Sequence, residues 1–437
     1  MLFKSTRSLK DEISFRNAIF QGLAPDGGLY LPVEKLNLTT LFKSFSSETS
    51  FLEIAGKMIE LLFNDTISGE KAEKIARQTF SFSPKIYHCN NDHSILELFH
   101  GPTCAFKDYG ACFLASMMEE FLKSKSEKIL ILTATSGDTG SAVARAFKGK
   151  KNIEVVILYP SKRISPLQEK QLTTVGGNVT ALEVKGSFDD CQKMVKEAFL
   201  DKKLTERLNL TSANSINIGR LIPQSFYYIY AYSKLKEKNE NIYFCVPSGN
   251  FGNLTAGILA YQWGLQVKGF IAATNANDII PEYLRTSIFS PKTSLKTLSN
   301  AMDVGDPSNF ERLLKIFNND VDDIRSILTG ISISDDETLE TIREFYSENH
   351  LFIDPHTAVG FLAAKRFVKQ NNIKDSHIIT LSTAHPGKFS EIVKEATGEA
   401  PGIPPALSET LDLEKKSILI NNGFKDLLEY LMDTFKR

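Results

Sequence analysis

The chain has 437 residues, 42% hydrophobic and 24% charged, a globular balance with enough length for more than one core. Its formal net charge of -1 provides no global field for nucleic acid or an anionic lipid surface. No apolar run reaches membrane-spanning length, and MLFKSTRSLKDEISF lacks both the apolar core of a signal peptide and the acid-free character of a transit peptide.

Residues 1–90 are expected to form a separate, mostly helical layer. DEISFRNAIFQGL has the spacing of a short amphipathic helix, and APDGGLYLP of a Gly/Pro turn running into an extended piece. SSETSFLEIAGKMIELLF and SGEKAEKIARQTF follow with helical periodicity and serine caps. From about residue 91 to 400 the rhythm becomes α/β. SILELFHG, EKILILTAT, EVVILYP, VTALEVKG, NIYFCVP, VKGFIAATN and HIITLSTAH predict strands, and most are followed by an amphipathic helix. Such alternation predicts parallel sheets joined by right-handed crossovers. Residues 281–350 are less regular and predict an elaboration on the second sheet. The tail, 401–437, opens on the proline-rich APGIPPALSE and ends in a helix.

Three loops follow buried strands, where open α/β sheets place their ligands. TATSGDTGSA and VPSGNFGNLTAG share one construction, a strand, small residues with two glycines, then a helix start, which suits a phosphate. Neither is a P-loop nor a dinucleotide fingerprint, and tight turns need glycine for backbone reasons alone. LSTAHPGKF offers Ser382, Thr383 and His385, or simply a polar strand end. Lys107, in HGPTCAFKDYG, has three readings: a salt-bridged loop lysine, a phosphate contact, or an amine whose proton affinity falls in a dry pocket. The third requires a cofactor cradle elsewhere in the chain. The five cysteines (Cys89, Cys104, Cys112, Cys191, Cys245) lack metal-ligand spacing, which predicts free thiols, a reducing cytoplasmic setting and no metal centre.

Taken in order, FKSTR, GLAPDGGLYLP, HGPTCAFKD, TATSGDTGSA, NSINIGRLIPQ, VPSGNFGN and STAHPGKF resemble the threonine synthases of the microbial and fungal type. The resemblance implies a tryptophan-synthase-β-like fold (fold type II) with two lobes, the smaller at roughly 110–240, and pyridoxal 5'-phosphate as cofactor. It implies conversion of O-phospho-L-homoserine and water to L-threonine and phosphate by γ-elimination and β-addition. Lys107 would carry the cofactor as a Schiff base and move protons at Cα and Cβ. Gly249, Asn250, Phe251, Gly252 and Asn253 would cradle its phosphate, and Thr383 would face the pyridine nitrogen. For the amino-acid end of the substrate the candidates are Ser136, Gly137, Asp138 and Thr139. For the substrate phosphate they are Lys162, Ser165, Gln168, Asn214, Asn217 and Arg220, because an arginine fork suits a phosphate dianion. Relatives of the fold often place an asparagine near the phenolic oxygen, and Asp138 in that loop departs from the pattern. Asp108 is expected to support its own loop rather than to pair with Lys107. The alternatives are another fold-type-II lyase, such as a threonine or serine dehydratase or a phospholyase, and a cofactor-free binding relative. As to partners, a monomer or homodimer acting on a small molecule is expected, with neither nucleic acid nor membrane.

Overall fold

The computed structural model describes residues 1–8, 11–123, 126–237, 239 and 241–435. Two large sheets organise it. The first runs in the order Leu328–Ser332, Gly269–Thr274, Ile242–Pro247, His377–Ser382, His93–Glu97, Lys85–His88, all parallel except the last. The second, wholly parallel, runs Ser417–Ile420, Val179–Val184, Ile153–Pro160, Ile129–Ala134, Leu210–Thr211. Every residue of Ile129–Ala134 and of Gly269–Thr274 is buried. Helices cover both faces of a parallel sheet, so its strands are read as apolar runs rather than as alternation.

The N-terminal layer adds something helical periodicity does not show: an antiparallel sheet in which Leu2–Ser5 pairs with Ile13–Ser14 and Tyr30–Pro32. Of the serines expected to cap helices, Ser50 forms a reciprocal capping box with Glu53 at the start of Phe51–Leu62. Ser68 stands at the same position before Gly69–Thr79 but makes no side-chain cap bond. The many phenylalanines find their use here. Phe15 stacks on Phe63 at 4.1 Å between centroids, and Phe63 meets Phe113 of the helix Lys107–Leu122 at 6.1 Å. Each such ring, withdrawn from water, contributes about 2–3 kcal/mol, so the N-terminal layer shares one continuous core with the helix that begins at Lys107.

In the two large sheets Lys85–His88, Leu210–Thr211, Leu328–Ser332 and Ser417–Ile420 fall where no strand was expected. Leu328–Ser332, in the irregular stretch, forms an edge of the larger sheet, and Gly330 permits it, since a Cβ there would lie 2.7 Å from Pro281 Cα. Beyond residue 400 the tail crosses to the other sheet. Its strand Ser417–Ile420 extends that sheet beside Val179–Val184, and Lys415 ties it down through Glu169 at 2.7 Å and Glu183 at 2.6 Å.

Candidate active site

Parallel registry brings the C-terminal ends of Ile242–Pro247, His377–Ser382 and His93–Glu97 to one edge of the larger sheet. Three loops leave from that edge. After His93–Glu97 the chain turns at Gly101, and Cys104 takes the left-handed conformation with φ 54°. The segment then runs antiparallel to 383–385, with Phe106 N–H donating to Thr383 O at 2.8 Å and His385 N–H to Cys104 O at 3.1 Å. Lys107 is therefore the first residue of its helix and sits next to Thr383.

Asp108 turns away from it. Its carboxylate accepts Thr103 N–H at 2.9 Å and Thr103 Oγ1–H at 2.6 Å, as expected of a residue that supports its own loop. Gly101 is needed for this, because a Cβ would fall 2.4 Å from Asp108 Oδ2. Burial pushes Asp108 up to about 6 against those hydrogen bonds.

The partner of Lys107 is Asp138, first residue of the helix Asp138–Phe147 that follows the strand Ile129–Ala134 of the second sheet, with Nζ 3.7 Å from Oδ2. The other oxygen, Oδ1, is held by Lys388 Nζ at 2.7 Å and by Gln168 Nε2 at 3.1 Å. Burial alone would raise the Asp138 carboxyl, but Lys388 and Lys107 outweigh it and hold it well below the usual range. For Lys107 burial wins: the amine is driven below its ordinary value, with Asp138 opposing and Lys388 and Arg220 assisting. A buried amine that gives up its proton more easily is a nucleophile.

The SGDTG turn is shaped by a residue the motif reading passed over. Thr135 Oγ1 accepts N–H from Gly137 at 3.0 Å and Gly140 at 2.8 Å. Gly137, at φ 146°, has Gln168 where a Cβ would go, 2.7 Å away. Ser136 is exposed on this turn and Thr139 half-buried.

The loop 248–253 presents backbone rather than side chains. Phe251 holds φ 59° at the start of Gly252–Gln262, and none of the N–H groups of 249 to 253 has an acceptor among the described residues. Asn253 is committed to the turn, accepting from Ser248 Oγ at 2.6 Å and donating to Pro247 O at 2.9 Å. Asn250 is likewise engaged, with Ser215 Oγ at 2.8 Å and Ser308 N–H at 2.6 Å. Beside Gly252 lies Asn309, fully buried with its Nδ2 unpartnered. Thr383 is 5% exposed, and its hydroxyl has no partner among the described residues. Free N–H groups at a helix start, an unengaged hydroxyl and a low-affinity amine fit the phosphate, ring nitrogen and aldehyde of pyridoxal 5'-phosphate.

The residues expected at the substrate phosphate divide. Arg220 is 2% exposed, donates from Nη1 to Ala213 O at 2.7 Å, and leaves Nε without a partner. No carboxylate of a described residue comes within ion-pair distance of it. Asn214 accepts from Thr133 Oγ1. Asn217 runs against expectation: Nδ2 donates to Ile19 O at 2.8 Å and Ser212 O at 2.9 Å, while Oδ1 accepts Gly219 N–H. Its side chain is a fixed part of the turn. Ser165 caps the helix Pro166–Thr173 from an exposed position, and Lys162 is exposed at φ 57°. Lys388, Thr135 and Asn309 are the residues sequence reasoning missed. Only Lys388 carried a signal, as a lysine two residues past the His-Pro of a strand-end loop.

Matching families follow the same layout. A family described as pyridoxal-phosphate dependent enzyme matches residues 94–384, threonine synthase N terminus matches 2–80, and threonine synthase, C-terminal matches 357–430. The chain is 41% identical to the threonine synthase of Escherichia coli over 98% of its own length and 99% of the relative's. It is 36% identical to that of Saccharomyces cerevisiae, over 98% and 96%. The solved E. coli enzyme superposes with a TM-score of 0.91 at 39% identity, covering 99% of this chain and 100% of that one. A pyridoxal-phosphate-bound threonine synthase from Brucella melitensis gives 0.93 at 33% identity, with all of both chains covered. A tomato threonine deaminase, 16% identical with a TM-score of 0.54, shares the fold alone. With relatives at this identity matched from end to end, and with a site shaped for pyridoxal 5'-phosphate, the chain belongs to the threonine synthase family of pyridoxal-phosphate-dependent lyases.

Proposed function

We propose that this enzyme converts O-phospho-L-homoserine and water to L-threonine and phosphate, with the cofactor carried on Lys107. The observation that carries the substrate is Arg220. A guanidinium withdrawn from water, without a carboxylate and with a free Nε–H, is costly unless an anion arrives to meet it.

When bound, the cofactor draws electron density from the substrate's Cα. The Lys107 amine would take the Cα proton and then a Cβ proton of the substrate. The backbone N–H groups of Gly249 to Asn253 would hold the cofactor phosphate, and the Thr383 hydroxyl would face the pyridine nitrogen. Ser136, Gly137, Asp138 and Thr139 receive the amino-acid end. Arg220, with Asn214 and Gln168, receives the phosphate that leaves from Cγ. A dehydratase acting on serine or threonine would need the same amine and cradle but no second anion site, so Arg220 weighs against it. A reducing cytoplasm fits the five unpaired cysteines.

The test is product analysis. Phosphate and threonine should appear together from phosphohomoserine, and Lys107→Ala should lose both the products and the cofactor's absorbance band. Ammonia release from threonine or serine, with no phosphate from phosphohomoserine, would replace this reading with the dehydratase one.

A further inference from the structure

Lys388 is buried as lysines seldom are. Its side chain is 1% exposed, and Nζ has two partners: Asp138 Oδ1 at 2.7 Å and Thr103 O at 3.0 Å. Ordering that long stem and desolvating its charge cost several kcal/mol, and a pair like this adds little net stability over apolar packing of the same volume. What it does add is geometry. Three segments meet at Nζ: the loop before the Lys107 helix, the first residue of the Asp138–Phe147 helix, and the turn Pro386–Phe389. One carboxylate therefore stands between two lysines, one on each oxygen. Lys388 takes the close contact, and Lys107 is left at 3.7 Å, beyond hydrogen-bond reach.

We infer that Lys388 is a positioning residue for the cofactor-bearing lysine: it grips Asp138 so that one carboxylate oxygen faces the Lys107 nitrogen without closing on it, and its own charge opposes a second charge there. The inference rests on Lys107 being the residue that carries the cofactor. Without Lys388, Asp138 would be free to close on the Lys107 nitrogen and the opposing cation would be gone. Both changes favour the protonated nitrogen, so their effects add. The other groups facing this cluster are Gln168 and Cys104 at Asp138, Arg220 at Lys107, and Asp108 and His385 at Lys388. None of them is altered in the comparison below.

The measurement is a spectrophotometric pH titration of the holoenzyme, following the band of the lysine-bound cofactor, whose position reports protonation of that nitrogen. Lys388→Met is expected to raise the midpoint by about one pH unit or more. Lys388→Arg, which keeps the charge, is expected to stay within a few tenths of wild type. Joining Asp138→Asn to Lys388→Met removes both the grip and the oxygen it aims, and should bring the midpoint back down. A Lys388→Met holoenzyme that melts earlier but titrates like wild type would reduce Lys388 to a structural strut and overturn the inference. Should that variant not fold, Lys388→Gln takes its place with the same upward shift expected, and an unmoved midpoint is equally fatal. Borohydride reduction of the same samples, followed by peptide mapping, keeps the two ideas apart. A label away from Lys107 refutes the cofactor assignment, whereas a label on Lys107 with an unmoved midpoint refutes only the role of Lys388.

Discussion

Replacing Arg220 by methionine separates two uses of a buried arginine. Burial pushes its guanidinium from 12.5 down to about 10, with Asp108 pulling the other way. Because that value lies far above neutral, the cation persists folded and unfolded. The gap then stands for about 3 kcal/mol against folding at pH 7, relieved only as pH climbs from about 10 toward 12.5. Methionine removes this cost and loses the bond from Nη1 to Ala213 O, about 1 kcal/mol. Some volume goes as well. Stability is thus expected to hold or to rise by about 1–2 kcal/mol. Binding should move the opposite way: two charge-assisted bonds to a phosphate dianion, at about 1.5–2 kcal/mol each, correspond to a fall in kcat/KM of roughly 10²- to 10³-fold. Urea unfolding can be followed by Trp263, the single tryptophan, buried just beyond the helix Gly252–Gln262. Phosphate release reads the kinetics. A loss of several kcal/mol in stability with KM unchanged would refute the reasoning and make Arg220 a staple of the 213–220 turn.

Asn217→Ala is expected to behave in the contrary manner. It strands Ser212 O and Gly219 N–H in the interior and leaves Ile19 O only the Thr211 hydroxyl at 3.4 Å, costing about 2–4 kcal/mol in urea, while the folded enzyme keeps its KM. Gly249→Ala would place a methyl 2.6 Å from Met302 Cα, so the cradle must open, and cofactor affinity by fluorescence titration should fall at least about tenfold. Burial raises every cysteine, Cys104 to about 11, Cys89 and Cys191 to about 12, Cys112 and Cys245 further still. At pH 8 under about 0.1% of any of them is thiolate, so a thiol reagent should find essentially none in the native protein and five after unfolding.

What the chain discloses before folding follows from how local each signal is. Strands such as Ile129–Ala134 are legible because burial on both faces writes an unbroken apolar run. Ser417–Ile420 is not, because SILI is short, follows the charged run LEKK, and gains its strand identity only by pairing with residues more than two hundred positions earlier. The cradle of 249–253 is legible for a related reason, since glycines and a helix start fix where backbone N–H groups point. Which of its side chains remain available is decided by partners elsewhere, Ser215 and Ser308 among them. Asn217 misleads on the same ground, because a polar residue in a glycine-containing loop looks like a ligand donor until Ile19 is seen to claim it.

Lysines mark the limit most sharply. Nothing in the side chain distinguishes Lys162, which lies in water, from Lys388, which does not. The difference is made by convergence. Lys388 is enclosed because the segment 383–385 pairs with 104–106, carrying the following turn to the loop of Thr103, and because the helix after Ile129–Ala134 brings Asp138 to the same point. Lys107 reaches Asp138 by a separate path, through the first turn of its own helix. Two lysines on one carboxylate is therefore a property of how distant segments converge in the fold, not of any motif.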